Sequence, residues 1–259
     1  MTGVTELNDN LYVVLRGSNT VRVFGNPPLY NRLKYFVIAK MEDPSDLVSD
    51  LAACHLYIAD RLGRCVWSVE VKSQHYSEDK EVKVGIWAVI KGKPMSLSIA
   101  RTGQFTQVLV VDWQDELTIC GSQGERSTVT NMKDSNLTVT RHVIQTSNKT
   151  FIVLHKDCVS LIDQNWNFLK KYGGPAAPLR LSIPERLTEI GDAGQTILVD
   201  EKRILVLSPC LEVERTLILR PPSSEDTGFG WGRRLCYSRS SGRLVVSWGD
   251  KDVWIYSVT

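Results

Sequence analysis

The residues able to do chemistry in this chain are few and scattered. There are four histidines, His55, His75, His142 and His155. None falls in the HxH or HExxH spacing that aims two imidazoles at one zinc ion. The six cysteines, Cys54, Cys65, Cys120, Cys158, Cys210 and Cys236, contain no CxxC pair. So widely spread, they read as free thiols packed like small hydrophobes, with one or two disulfides left open by the even count. His155 and Cys158 flank Lys156-Asp157 and could form a thiol–imidazole pair. Their place in a hairpin favours an inert thiol instead. There is no GxSxG elbow. Gly228-Phe229-Gly230-Trp231-Gly232 has the glycine density of a phosphate loop, but it lacks GxxxxGK[ST] and leads into a strand. Glu6, Asp50 and Glu189 sit at related places in the chain, with Ser98 and His142 where more carboxylates would be needed. A hard cation wants about six oxygen ligands, so this set is too sparse. The expectation is no catalytic residue, no metal and no cofactor. The balance leans away from an enzyme.

The elements that must position these residues come from an internal repeat. A β-rich run recurs as LYVVL at Leu11, LYIAD at Leu56, VLVVD at Val108, TFIVL at Thr150, TILVD at Thr196 and RLVVS at Arg243. The steps lie between 42 and 52 residues, a propeller-type period. Each run leads through a polar turn into a second run: TVRVF, CVWSV, ELTIC, CVSLI, RILVL and DVWIY. A strand precedes each pair, from GVTEL at Gly3 to RLCYS at Arg234. An outer strand follows most copies, as in LKYFVIA from Leu33, VKVGIWAVI from Val82, NFLKKY from Asn167 and EVERTLIL from Glu212. It is weakly marked in the third copy, as STVTNM from Ser127, and missing from the last. Continuous apolar runs such as VLVV suit strands covered on both faces. The prediction is an all-β, six-bladed β-propeller of four-stranded antiparallel blades, the last three-stranded. It forms a single domain over 1–259, with blades near 3–40, 46–90, 94–133, 136–173, 184–219 and 232–259.

The order of inner strand, LYVxD-like strand, turn and RVxVF-like strand resembles the NHL repeat. Leu56-Tyr57-Ile58-Ala59-Asp60 with Cys65-Val66-Trp67 carries the resemblance best, with Leu11-Tyr12-Val13-Val14 and Asn19 to Phe24. Lys91-Gly92-Lys93-Pro94 looks like that family's entry to an inner strand. The usual Pro-x-Gly entry and Asn-His-Arg turn are mostly absent. The chain looks closest to the NHL propellers that end tripartite-motif proteins and to stand-alone invertebrate relatives. The resemblance implies binding of RNA or protein on one face, while related six-bladed propellers include metal-dependent hydrolases and lyases.

In such an architecture the turns between second and third strands gather on one face, with the loops joining successive blades. These positions hold Arg16, Arg61, Arg64, Trp113, Lys156, Arg180, Lys202, Arg203, Trp231 and Trp248. Arg, Lys and Trp together can pair with carboxylates or phosphates and stack on side chains or bases. The same residues also suit a plain solvated rim. Asp60, Asp112, Asp157, Asp200 and Asp250 are interleaved with them and dilute a positive field. With 31 basic and 29 acidic residues the net charge is only +2, unlike a strongly basic nucleic-acid binder. A protein or peptide partner therefore ranks above single-stranded RNA. A small-molecule enzyme or ligand carrier using a central channel is the other class. No apolar run approaches the ~20 residues that span a bilayer, and MTGVTELNDN is no secretory leader, so the expectation is no membrane partner and a cytoplasmic chain. Two glycosylation triplets, at Asn136 and Asn148, would matter only in a secreted form.

Overall fold

The repeated phrase folds as antiparallel hairpins. The computed structural model describes residues 2–25, 32–71, 82–129, 139–174, 180–182, 184–191, 194–200, 203–218, 234–238, 241–248 and 252–257. The chain divides into two compact units, Met1–Val129 and Thr130–Thr259. Unit 1 holds three four-stranded sheets. They are β1 (Gly3–Leu7), β2 (Asn10–Val14), β3 (Thr20–Phe24) and β4 (Arg32–Val37); β5 (Pro44–Asp50), β6 (His55–Asp60), β7 (Cys65–Glu70) and β8 (Val84–Val89); β9 (Pro94–Thr102), β10 (Phe105–Asp112), β11 (Leu117–Cys120) and β12 (Arg126–Val129). Unit 2 holds β13 (Thr140–Gln145), β14 (Phe151–His155), β15 (Cys158–Ile162) and β16 (Phe168–Gly173); β17 (Pro184–Ile190), β18 (Gln195–Asp200), β19 (Arg203–Leu207) and β20 (Val213–Ile218); and the three-stranded β21 (Arg234–Ser238), β22 (Arg243–Trp248) and β23 (Asp252–Ser257). Every sheet is a sequential antiparallel meander, and the six together make the fold an all-β, six-bladed β-propeller. No helix occurs among the described residues.

The continuous apolar runs have a specific cause. Successive residues of a strand point to opposite faces. On β6, Leu56 and Ile58 enter the cluster shared with blade 1, beside Leu7, Tyr12, Val14 and Leu47. Tyr57 and Ala59 enter the cluster shared with blade 3, beside Leu97, Val108 and Val110. Both faces are therefore core, and alternation vanishes. In unit 2, β18 does the same: Leu198 packs with Ile152 and Leu154 of blade 4, while Ile197 and Val199 pack with Leu244 and Val246 of blade 6. Each such Leu, Ile or Val side chain contributes about 1.5–3 kcal/mol through burial.

Inner strands are also stitched from blade to blade. Asp46 accepts the Leu97 backbone N–H at 2.7 Å, and the Ser45 hydroxyl donates to the Pro94 carbonyl at 2.6 Å. The Ser49 hydroxyl donates to the Glu6 carbonyl at 2.8 Å. In unit 2, His142 accepts the Leu187 backbone N–H at its Nδ1, 3.2 Å away, and Arg141 donates to the Pro184 carbonyl at 2.9 Å. Gly3 lies where β1 meets β5. A Cβ there would stand 2.6 Å from the Leu47 backbone nitrogen and 2.8 Å from the Asp46 carbonyl carbon.

Five of the turns follow one pattern. At Asp112–Glu116, Gly121–Glu125, Thr146–Thr150, Asp163–Asn167 and Ser208–Glu212, the first residue's N–H donates to the fifth's carbonyl. The fourth residue is left-handed in each: Asp115, Gly124, Lys149, Trp166 and Leu211. Four of the five carry a side chain where glycine would be cheaper. Leu211 turns into the core and Trp166 stacks on Phe151, while Lys149 is exposed.

Candidate functional site

The polar residues of the second-strand ends are anchors. Asp60 closes β6 and is fully buried. Its carboxylate accepts the backbone N–H groups of Glu42 and Asp43, both at 3.0 Å, and of Gly63 at 3.1 Å. It also accepts the Trp67 indole N–H at 3.2 Å. One carboxylate thereby ties the turn after β6 to the segment joining blades 1 and 2. Burial alone raises its pKa, but the three amides and the indole outweigh it and hold the carboxyl below its ordinary value. Asp112 closes β10 in the same way and accepts Gln114 and Glu116 amides at 2.8 and 3.0 Å. With fewer donors, burial wins and its pKa is raised, helped by the Glu116 charge. In unit 2, Asp200 accepts the Ser182 amide at 2.8 Å and the Arg203 guanidinium at 2.8–2.9 Å. The interleaved Asp60, Asp112 and Asp200 are thus turned inward rather than displayed. Asp250 lies outside the described residues.

The predicted basic positions separate into two kinds. Arg61 is half-buried, donates from Nε to Asp43 at 2.7 Å and pairs with it through its terminal nitrogen. Asp43 also accepts the Gly17 amide at 3.3 Å and draws Arg16 to 3.9 Å. Arg203 is likewise held by Asp200 and by the Arg180 carbonyl. Arg61 and Arg203 therefore work as braces between turns and connectors. Arg16, Arg64, Trp113, Lys156 and Arg180 are exposed. Lys202 and Trp231 lie outside the described residues, as do His75, the Gly228–Gly232 run and the Asn136 triplet. Trp248 ends β22.

In unit 1 the exposed positions form one continuous stripe. The Ile90 amide donates to the Arg64 carbonyl at 2.7 Å, so Arg64 adjoins Lys91. Gly92 crosses directly over Asp112, where a Cβ would come 1.8 Å from the carboxylate. The Trp113 amide donates to the Lys93 carbonyl at 2.9 Å. Leu62 at the blade 2 turn and Trp113 at the blade 3 turn are 52% and 56% exposed. Lys91, Lys93 and Lys40 are exposed beside them. The connector residues were the less legible part of this face, because only the register shows which connector meets which turn.

The remaining candidates are accounted for by local structure. Asp50 is 1% exposed, caps the Ala52 amide at 3.1 Å and meets Arg101 at 3.3 Å. Glu189 accepts the Ser147 amide at 2.6 Å. Among the described residues no group of three His, Cys, Asp or Glu is placed to hold a metal ion. All six cysteines are free. Cys158 is fully buried, and burial pushes its thiol up to about 11. Cys210 is exposed. Maleimide labelling of the native chain at neutral pH is expected to modify Cys210 in the first phase and Cys158 only with unfolding. Peptide mapping of the first-labelled thiol checks this, and early modification of Cys158 would refute it.

A propeller that braces its connectors with buried carboxylates is the class this geometry defines. Solved structures agree with that class. The chain is similar to a structural genomics protein of unknown function from Bacteroides thetaiotaomicron, with TM-score 0.72 and 13% identity over 99% of this chain and 69% of that one. It is similar to the WD40 β-propeller domain of Doa1, with TM-score 0.64 and 10% identity over 98% and 77%. It is also similar to virginiamycin B lyase from Staphylococcus aureus, with TM-score 0.63 and 8% identity over 99% and 84%. At these identities the likeness is one of fold. No family model and no curated protein matches the chain. Among the described residues no helix is long and apolar enough to cross a membrane.

Proposed function

We propose that the chain is a non-catalytic binding propeller, a single domain over 1–259 whose turn face receives a protein or peptide partner. The observation that carries this reading is a division of labour within each unit. In unit 1 Asp60 and Asp112 point inward under backbone amides, while Arg16, Arg64 and Trp113 stand outward on the turns. In unit 2 Asp200 points inward, while Lys156 and Arg180 are exposed. A rigid scaffold that presents exposed cations and a tryptophan pays little ordering entropy on binding. Arg and Trp are the residue types that dominate partner recognition. The NHL-like order of the repeats supports the same role, and Lys202, Trp231 and Trp248 extend the proposed face by sequence.

Selection from a random-peptide display library against the intact chain tests this. Enriched peptides are expected to lose at least tenfold in affinity to Arg64→Glu, a change of about 1.4 kcal/mol. Enrichment of nothing, or of peptides indifferent to every turn-face substitution, would remove the reading.

A further inference from the structure

The stripe on unit 1 has a charge and shape that narrow the partner. Going from blade 1 to blade 3, the exposed positions run Arg16, Arg64, Lys91, Lys93 and Trp113, with Leu62 at the tip between. The carboxylates nearest to them do not offset this for a visitor. Asp43 is buried and taken by Arg61, while Asp60 and Asp112 are buried under backbone amides. Among the described residues beside the stripe, Glu42 is the exposed acid, and Asp115 and Glu116 are half-buried. The surface is therefore cationic where a partner would touch, although the whole chain is nearly neutral.

Its spacing is fixed. Connector and turn are joined by the Arg61–Asp43, Ile90–Arg64 and Trp113–Lys93 backbone bonds. The cations thus sit on backbone that does not have to be ordered on binding. Two exposed apolar side chains, Leu62 and Trp113, flank the Lys91–Lys93 connector. A single exposed aromatic in the described stripe is a poor platform for a run of bases, which stack one after another on several rings. It suits one apolar side chain between negative charges.

We propose that this stripe docks an acidic peptide segment carrying one apolar anchor residue. Carboxylates of the segment pair with Arg64, Lys91 and Lys93, and the anchor packs against Trp113 and Leu62. This rests on the peptide-binding reading above and specifies its ligand.

Fluorescence polarisation with the intact chain tests it. The probes are fluorescein-labelled twelve-residue peptides: glutamate-rich with one central leucine, the same with serine for leucine, a lysine-rich version, and a neutral Gly/Ser version. Oligouridine of the same length completes the set. The glutamate–leucine probe is expected to bind tightest. Lys91→Glu with Lys93→Glu should weaken it at least tenfold, and Trp113→Ala several-fold, removing its preference for leucine over serine. Arg215→Glu, on the exposed outer strand β20 of unit 2, should change it less than twofold. Thermal melts confirm that each variant folds, and Arg64→Glu replaces any that does not.

Equal binding of the neutral or lysine-rich peptide would overturn the acidic assignment and leave peptide binding standing. Loss on Arg215→Glu equal to that on Lys91→Glu with Lys93→Glu would overturn the placement. Oligouridine binding that falls with salt at a log–log slope of about −0.7 per phosphate, with no peptide bound, would overturn both this inference and the peptide reading. Absence of binding by every probe overturns the inference, and the display selection then judges the broader reading on its own.

Discussion

Asp60→Asn is expected to destabilise unit 1 by about 3 kcal/mol, read as a lower urea midpoint at unchanged m-value. The carboxylate receives four donors: the Glu42, Asp43 and Gly63 amides and the Trp67 indole. An amide side chain has one oxygen and brings two hydrogens of its own. At least one buried donor is then left unmet, and the new N–H₂ faces other N–H groups. The pH dependence separates this from simple packing loss. Asp60 titrates below its ordinary value in the folded chain. Its contribution is therefore complete above the unfolded carboxyl range, near 4, and disappears as pH falls through the lower folded value. Asp112 is shifted upward, so the sign reverses. There the folded state holds the proton more tightly, and stability falls as pH rises from about 4 through the raised folded value. Asp112→Asn should accordingly cost less than Asp60→Asn and should relieve that loss. Equal costs, or an unchanged acid limb in Asp60→Asn, would refute the anchor role.

Gly3→Ala is the second large effect, expected at about 2–3 kcal/mol in the same denaturation assay. The added methyl would lie 2.6 Å from the Leu47 nitrogen and 2.7 Å from the Leu47 Cβ. Those atoms belong to the adjoining inner strand and cannot rotate away. β1 and β5 would have to separate, loosening the cluster of Leu7, Tyr12, Leu47 and Leu56. Gly17→Ala provides the contrast. A Cβ at Gly17 meets nothing within 4 Å, and its cost is confined to a left-handed backbone at φ 65°. A Gly3→Ala chain as stable as the parent would show that the two inner strands have slack.

Much of the architecture can be read directly from the repeat. GVTEL, LYIAD and CVWSV are β1, β6 and β7 almost residue for residue, and the last blade has three strands as expected. The weakly marked outer strand of the third copy is β12 at Arg126–Val129, one residue before the expected start. Period-2 side-chain geometry and a fixed repeat length are local properties, so local sequence reveals them. The face was legible only in part. Arg61 and Arg64 look alike in the turn Arg61-Leu62-Gly63-Arg64. Yet one meets Asp43, eighteen positions back, and the other is exposed. That difference comes from which connector passes beneath the turn, and no local pattern encodes it. One clue was available: three of six copies end their second strand in Asp, at 60, 112 and 200. A carboxylate recurring at the end of an apolar run is placed to be covered. Outward charges show no such register.

The stitching between blades has a kinetic consequence. Ser49 reaches Glu6 across 43 residues, Ser45 reaches Pro94 across 49 and Leu97 reaches Asp46 across 51. In unit 2 Leu187 reaches His142 across 45. Each of these bonds spans about one repeat, so the loop to be closed is the same modest size at every step. Ordering one blade templates the next at a nearly constant entropic cost, since closure entropy grows only logarithmically with length. Within each unit, folding can therefore start at any well-formed hairpin and advance by nearest-neighbour addition, as in a one-dimensional array. The chain length then lengthens the relay more than it raises the barrier.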